Sequence, residues 1–411
     1  MKICGKKVAE LTKKYGTPLY VYDFNKLHEK AQQLKNAFAS SSVEVDIYYA
    51  MKANCHPAII RLLCGLGFGM DCVSPGEMEL ALCNGVMADK LLYSANYEGP
   101  AELKLAQKRG VKINLDDITS LDRMLKSGTP EIVSFRMNPG RGKGKFEEIT
   151  TAGEKAKFGV PYEDTVSAYK KAQESGIKKF GAHMMTGSGI LEDDYFIDML
   201  GVFLGELKNI RDALGIEFEF IDMGGGFGIP YFDDNKSLNI EKLGKSITKL
   251  FREKVDEYKL GNPRLALEPG RFLVGDAGYL ITTVTGLKKS YRKYVGVDAG
   301  FNTLIRPALY HAHHNIIIDG KENSEELEVV DVCGPICENT DIFARDRKLP
   351  RVNEGDLMII TQAGAYGNVM AMPYNLRFRP AEVAISDGKD FQITRRETIE
   401  DYLSRISNIP E

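Results

Sequence analysis

Along the first two thirds of the chain, short apolar runs rich in β-branched and aromatic residues alternate with segments of helical periodicity. The runs fall at 45–50, 69–73, 91–95, 111–115, 132–137, 180–185, 218–223 and 264–267, and helix-length segments separate most of them. A strand at 18–22 and a helix over 24–40 precede the first run. Alternation of this kind predicts parallel strands joined by right-handed crossovers, and eight such strands predict an α/β fold closed into a (β/α)8 TIM-like barrel. An open, doubly wound sheet is the alternative, but no G-x-G-x-x-G follows the first strand.

Beyond about residue 271 the texture changes. Runs at 280–284, 294–298, 316–319, 327–332, 356–361 and 382–386 read as strands separated by turns, with little helix between them. That pattern predicts a second, C-terminal antiparallel β domain, sandwich-like or barrel-like. The expected division is a barrel over 25–270 and a β domain made of 1–24 plus 271–411, the amino-terminal strand joining the latter. A length of 411 residues accommodates a barrel of about 250 residues and a second domain.

Composition narrows the function classes. Apolar residues make up 43% and charged residues 27%, and the net charge of -3 is spread without long blocks, which points away from nucleic acid as a partner. No apolar stretch is long enough to span a bilayer, and the start Met1-Lys2-Ile3-Cys4-Gly5-Lys6-Lys7 lacks the apolar core of a signal peptide, so a soluble, cytoplasmic protein is expected. The seven cysteines form no CxxC pair and no His/Cys metal spacing, so neither a disulfide framework nor a metal site is expected.

The candidate chemistry lies at the carboxyl ends of the predicted strands, where barrels collect catalytic groups. Lys52, in Tyr48-Tyr49-Ala50-Met51-Lys52-Ala53-Asn54, reads either as an amine that captures a carbonyl electrophile or as a lysine reaching water from a strand end. After the seventh run, Asp222-Met223-Gly224-Gly225-Gly226-Phe227-Gly228 either brings backbone N–H groups close to an oxyanion or makes a tight turn. Barrels commonly hold a phosphate at that position. The eighth run ends in Glu268-Pro269-Gly270-Arg271, a carboxylate suited to a protonated ring nitrogen and a guanidinium suited to a carboxylate or phosphate, or else a structural ion pair. Thr186-Gly187-Ser188-Gly189 adds a hydroxyl-bearing turn at the same mouth. Together these residues describe a pyridoxal phosphate site, in which the cofactor withdraws electrons while the protein supplies orientation and charge.

With those motifs the sequence resembles the barrel-type (fold type III) pyridoxal phosphate decarboxylases, the group of diaminopimelate, ornithine and arginine decarboxylases, and most of all the diaminopimelate decarboxylases. The resemblance covers nearly the whole chain. It runs from the Lys52 motif through Gly224-Gly225-Gly226-Phe227-Gly228-Ile229-Pro230-Tyr231 and Glu268-Pro269-Gly270-Arg271 to Asp298-Ala299-Gly300-Phe301-Asn302-Thr303-Leu304-Ile305-Arg306-Pro307-Ala308-Leu309-Tyr310. It continues in Gly334-Pro335-Ile336-Cys337-Glu338-Asn339-Thr340-Asp341 and in Ala363-Gly364-Ala365-Tyr366-Gly367, which leads to Arg379-Pro380-Ala381-Glu382-Val383.

The resemblance implies that Lys52 condenses with the aldehyde of pyridoxal 5'-phosphate and that Glu268 pairs with its pyridine nitrogen. By the same resemblance Gly224, Gly225, Gly226, Gly270 and Arg271 surround the phosphate, while Asp71 and Ser188 line the cofactor pocket. Arg271, Arg306, Tyr310 and Glu338 hold the substrate, Tyr366 lies near cofactor and substrate together, and Cys337 reprotonates the carbanion left by CO2. Also implied is a head-to-tail homodimer with shared active sites, Cys337 and Glu338 coming from the neighbouring subunit. Read without the family, Cys337 is a buried small hydrophobe.

Two departures stand out. Where the family has a histidine stacked on the cofactor ring, this chain has Met185, with His183 two residues earlier on the same face of the strand. A strand step of about 3.3 Å per residue keeps His183 from replacing the missing ring, so it is expected as a satisfied core histidine, while the Met185 sulfur can contact a ring face. Asn339 stands where serine is usual, and Met372-Pro373-Tyr374-Asn375 alters the stretch before Arg379.

The reaction implied is decarboxylation of a small diamino acid, first of all meso-diaminopimelate to L-lysine. D-ornithine, D-lysine or a carboxylated polyamine or siderophore intermediate is the alternative within the class. An amino-acid racemase, which needs a second base on the opposite ring face, and a non-catalytic cofactor carrier, which would lack Lys52, Glu268 or Cys337, are the alternatives outside it.

Overall fold

The computed structural model describes residues 1–40, 42–144, 150–232 and 234–407. The chain forms two compact units, one of Lys30–Ile229 and Lys236–Phe272, the other of Met1–Glu29, Pro230–Asn235 and Leu273–Glu411.

The first unit is a closed parallel barrel. Its strands are Val45–Ala50, Gly69–Cys72, Leu91–Tyr93, Lys112–Leu115, Ile132–Asn138, Lys179–Met184, Phe218–Asp222 and Arg264–Leu267. Each pairs with the next in sequence, and the eighth returns to the first through Leu265 opposite Val45. Strands two and three are buried at every position, as strands covered on both faces must be, and apart from Asp71 they carry no charged residue. A short strand, Val160–Pro161, extends the carboxyl end of the fifth.

Caps start several helices directly beyond the strand ends. Pro57–Gly65 begins with proline behind His56, whose ring accepts the Ala58 N–H. Ser74 caps Pro75–Cys83 by accepting the Glu77 N–H, and Asp117 caps Ile118–Leu125. The long helix Ile240–Tyr258 buries Ile240, Leu243, Ile247, Phe251 and Val255, one stripe at helical spacing.

In the second unit the long strand Gly278–Lys289 is the hub. It pairs antiparallel with Leu19–Asp23, Leu357–Ile360 and Lys293–Val297. The amino-terminal strand thus lies inside a sheet built mainly from the carboxyl-terminal third of the chain. Alternation along it sends Tyr20 and Tyr22 into one core cluster and Leu19 and Val21 into another.

The sheet is mostly antiparallel, with two parallel pairs that the sequence reading did not anticipate: Leu19–Asp23 with Ala381–Ser386, and Lys293–Val297 with Leu327–Cys333. Both join strands far apart in sequence, as parallel pairing requires. Two strands were not expected at all, Ile342–Pro350 and Lys389–Thr394, and they are the two ends of the sheet. Their charged residues hide the apolar alternation, a usual feature of edge strands. Among the described residues no helix is long and apolar enough to cross a membrane.

Candidate active site

The carboxyl ends of the barrel strands converge on a group of ionisable side chains. Lys52 sits in a single 3-10 turn, Met51–Ala53, directly after the first strand, and its Nζ lies 2.5 Å from Asp71 Oδ2 on the second. Asp71 is fully buried, and burial together with the nearby charge of Glu268 pushes its carboxyl up to about 7, although Lys52 pulls the other way.

Glu268, just past the eighth strand, is also buried. Ser94 Oγ donates to its Oε1 at 3.4 Å, and His183 Nε2 lies 3.4 Å from its Oε2. Burial alone would raise the Glu268 carboxyl, but His183, Lys52 and Arg136 outweigh it and bring it down to about 2. Asp222 behaves in the opposite way: burial and the Glu268 charge hold its carboxyl well above the ordinary range. The two neighbouring buried carboxyl groups are thus pushed in opposite directions, Glu268 down and Asp222 up.

The glycine loop is locked to both of its neighbours. Gly224 and Gly226 have positive φ, 71° and 93°. A methyl placed on Gly225 would lie 2.1 Å from the Glu268 carbonyl oxygen, so only glycine permits this approach. The Glu268 N–H donates to Gly224 O at 2.7 Å, and the Ile190 N–H donates to Gly226 O at 3.0 Å. These bonds tie the loop to the eighth strand end on one side and to the hydroxyl turn on the other.

Arg271 Nη2 donates to Ser188 Oγ at 3.2 Å, and Gly270 packs against Ala50 and Ala53 beside the Lys52 turn. The barrel thus brings Lys52, Asp71, Ser188, Gly224, Gly225, Gly226, Glu268, Gly270 and Arg271 to one mouth. Met185 enters through its sulfur, which accepts the Gly225 N–H at 3.3 Å.

The second unit holds the other residues singled out in the sequence. Arg306 and Tyr310 are the first and last residues of one short helix. Arg306 is buried, its Nη1 lies 2.9 Å from His314 Nε2, and its guanidinium lies over the Tyr231 ring. His314 donates from Nδ1 to Thr361 O at 2.9 Å, which leaves Nε2 to accept from Arg306. Cys337 and Glu338 lie on an exposed loop, where the Cys337 N–H donates to Asn375 Oδ1 at 3.0 Å. The plain reading of Cys337 as a buried hydrophobe is therefore corrected. Tyr366 adopts a positive φ of 56° in the turn after Ala365.

Sequence reasoning missed Asp222, Ser94 and His314, and it took His183 for a satisfied core residue. His183 is instead pressed against Glu268, with Nδ1 buried and without a hydrogen-bond partner. The available signal was strand register: His183 and Asp222 are direct neighbours on adjacent strands, and period-2 alternation puts Glu268 on the same side as Ala266, the register partner of Asp222.

Comparison with known proteins agrees with this geometry. Residues 24–275 match the family described as pyridoxal-dependent decarboxylase, pyridoxal binding domain. The chain is 44% identical over 409 residues to the diaminopimelate decarboxylase of Methanothermobacter thermautotrophicus, a match covering 99% of this chain and 95% of that protein. The crystal structure of diaminopimelate decarboxylase from M. jannaschii superposes with a TM-score of 0.90 at 34% identity, covering 99% of this chain and 95% of that one. That of the Helicobacter pylori enzyme complexed with L-lysine gives 0.88 at 32% identity, covering 97% and 98%. The chain belongs to the pyridoxal-dependent decarboxylases and, within them, to the group of the diaminopimelate decarboxylases.

Proposed function

We propose that this cytoplasmic carboxy-lyase removes CO2 from meso-diaminopimelate to give L-lysine, with pyridoxal 5'-phosphate held on Lys52. The observation that carries the reading is the meeting, at one barrel mouth, of a strand-end amine, a buried ionised carboxylate and a glycine loop that no side chain could replace. This donor set fits the cofactor. Lys52 answers its aldehyde, Glu268 its pyridine nitrogen, and the close glycine turn Gly224, Gly225 and Gly226, with Gly270, Ser188 and Arg271, its phosphate. When bound, pyridoxal phosphate supplies the electron sink for the pair left by departing CO2.

The chain's own residues do the rest. Asp71 holds the Lys52 amine at 2.5 Å and fixes where it presents its lone pair once deprotonated. Arg306 is pinned by His314 before any ligand arrives, so it can take a substrate carboxylate with little loss of rotamer freedom. Tyr310 and Tyr366 flank the substrate, Glu338 takes its distal ammonium, and Cys337 delivers the proton that replaces the carboxyl group at the α-carbon. L-lysine bound in the H. pylori relative supports the assignment of product.

CO2 release and amino-acid products, followed in parallel for meso-diaminopimelate, D-ornithine, D-lysine, L-ornithine and L-arginine, test the proposal. Release from meso-diaminopimelate with equimolar L-lysine is the expected outcome. Release from only one of the others moves the chain to a sister activity, and α-proton exchange without CO2 makes it a racemase.

The exposure of Cys337 and Glu338 supports a homodimer in which each loop completes the neighbour's site. Lys52→Ala and Cys337→Ala subunits, each nearly inactive alone, are then expected to regain about one quarter of wild-type activity when mixed and re-equilibrated, because half the dimers carry one intact site. No recovery would mean that each site is built from a single chain.

A further inference from the structure

A carboxylate that is to hold a protonated ring nitrogen must itself be ionised. Glu268 is poorly placed for that by its surroundings alone, since it is buried and has a second buried carboxyl, Asp222, beside it. His183, Asp222 and Glu268 each offer a polar atom within 4.8 Å of the others, two of them on consecutive strands and the third just past the next. His183 Nε2 lies against Glu268 Oε2, and Asp222 Oδ1 accepts the Gly224 N–H at 2.8 Å. That last bond leaves Asp222 Oδ2 buried without a hydrogen-bond partner.

We propose that His183 and Asp222 are positioning residues for Glu268, the first setting its Nε2 against the carboxylate and the second standing beside it as a neutral acid rather than a second negative charge. The inference rests on the reading of Glu268 as the partner of the cofactor ring nitrogen. The directions of the two carboxyl groups agree with it, Glu268 low and Asp222 high. Lys52, Asp71, Arg136 and Lys112 are further charged groups that act on the trio from other strands of the barrel. Asp222 also gives the arrangement a mechanical part. The same Gly224 donates its N–H to Asp222 and accepts the Glu268 N–H, so the phosphate loop and the ring-nitrogen partner move as one piece.

The test uses the holoenzyme and the pH titration of the visible absorption band of its bound cofactor, together with kcat and KM. In His183→Leu the ring nitrogen should lose its proton at lower pH. Each unit of that shift removes roughly tenfold of the protonated form above its pKa, and kcat should fall in step while KM changes little. His183→Gln restores an N–H donor near the Nε2 position, so it should recover part of kcat. Asp222→Asn keeps the neutral, hydrogen-bonding shape and should leave the band titration in place, whereas Asp222→Leu should shift it.

A folded His183→Leu enzyme with wild-type kcat and band titration overturns the proposal. So does loss of activity on exhaustive chelation, since the trio would then be holding a metal ion. Should His183→Leu fail to fold, the contrast between Asp222→Asn and Asp222→Leu decides, and equal titrations in the two overturn the proposal. Glu268→Gln separates the two levels. If that variant behaves like wild type, the reading of Glu268 fails and takes this inference with it. If it is impaired while the His183 and Asp222 variants are not, only this inference fails.

Discussion

Lys52→Ala is expected to lower kcat/KM by at least about 10^4-fold and to abolish the visible band of lysine-bound cofactor, while the protein still folds. Fold survival follows from the partner that Lys52 leaves behind. Asp71 is fully buried, and its carboxyl already sits at about 7, so it can take a proton when the amine is gone. The cost should depend on pH in a definite direction. A carboxyl raised above its unfolded value near 3.9 favours the fold fully below that value and loses that contribution as pH rises through the folded one. In the wild-type apoprotein this window runs from about 4 to 7. Without Lys52, which pulls the Asp71 carboxyl down, its upper edge moves to higher pH. The Tm difference between the two apoproteins should therefore be small at pH 5 and larger at pH 8. Substantial turnover by Lys52→Ala would remove the amine from the proposed mechanism.

The barrel was legible because its strands are covered on both faces. Runs such as 91–95 are apolar at all but one position, Ser94, and a lysine or a glycine loop at the end of such a run is conspicuous. The β domain was harder for the opposite physical reason. Ile342–Pro350, reading Ile-Phe-Ala-Arg-Asp-Arg-Lys-Leu-Pro, is a sheet edge most of whose charges face water, and nothing in its local pattern separates it from a loop. In the site, Lys52, Glu268 and the glycine loop carry rare chemistry at short spacing and can be read singly. His183 and Asp222 acquire meaning only from strand register, which places residues far apart in sequence beside each other. Met185 carries a sulfur able to contact a ring face. Its sulfur takes an N–H of the glycine loop, a contact visible only once the sixth and seventh strands are paired.

Gly225→Ala is expected to cost about two orders of magnitude in kcat/KM and a similar factor in cofactor affinity. Gly225 does not have the positive φ of its two neighbours, so the argument is steric. The added methyl would lie 2.1 Å from the carbonyl oxygen of Glu268 and 2.9 Å from its carbonyl carbon. Both are backbone atoms, and no side-chain rotation can clear them. The loop and the strand end must separate by roughly 1 Å, a displacement of the size that costs about 100-fold when it moves binding groups off their ligand, with overpacking adding about 1–3 kcal/mol of destabilisation. Because the Glu268 N–H also donates to Gly224 O, the same shift strains the bond that couples phosphate loop and ring-nitrogen partner. Gly205→Ala, in the middle of the helix Asp193–Leu214 with nothing within 4 Å of the new methyl, is the matched control and should stabilise the protein by about 0.5–1 kcal/mol. Opposite signs for the same chemical change, read as Tm and as the cofactor dissociation constant, would place the effect in the cradle. A Gly225→Ala enzyme that keeps its cofactor as tightly as wild type would mean that the loop yields, and that phosphate binding does not depend on its close approach to Glu268.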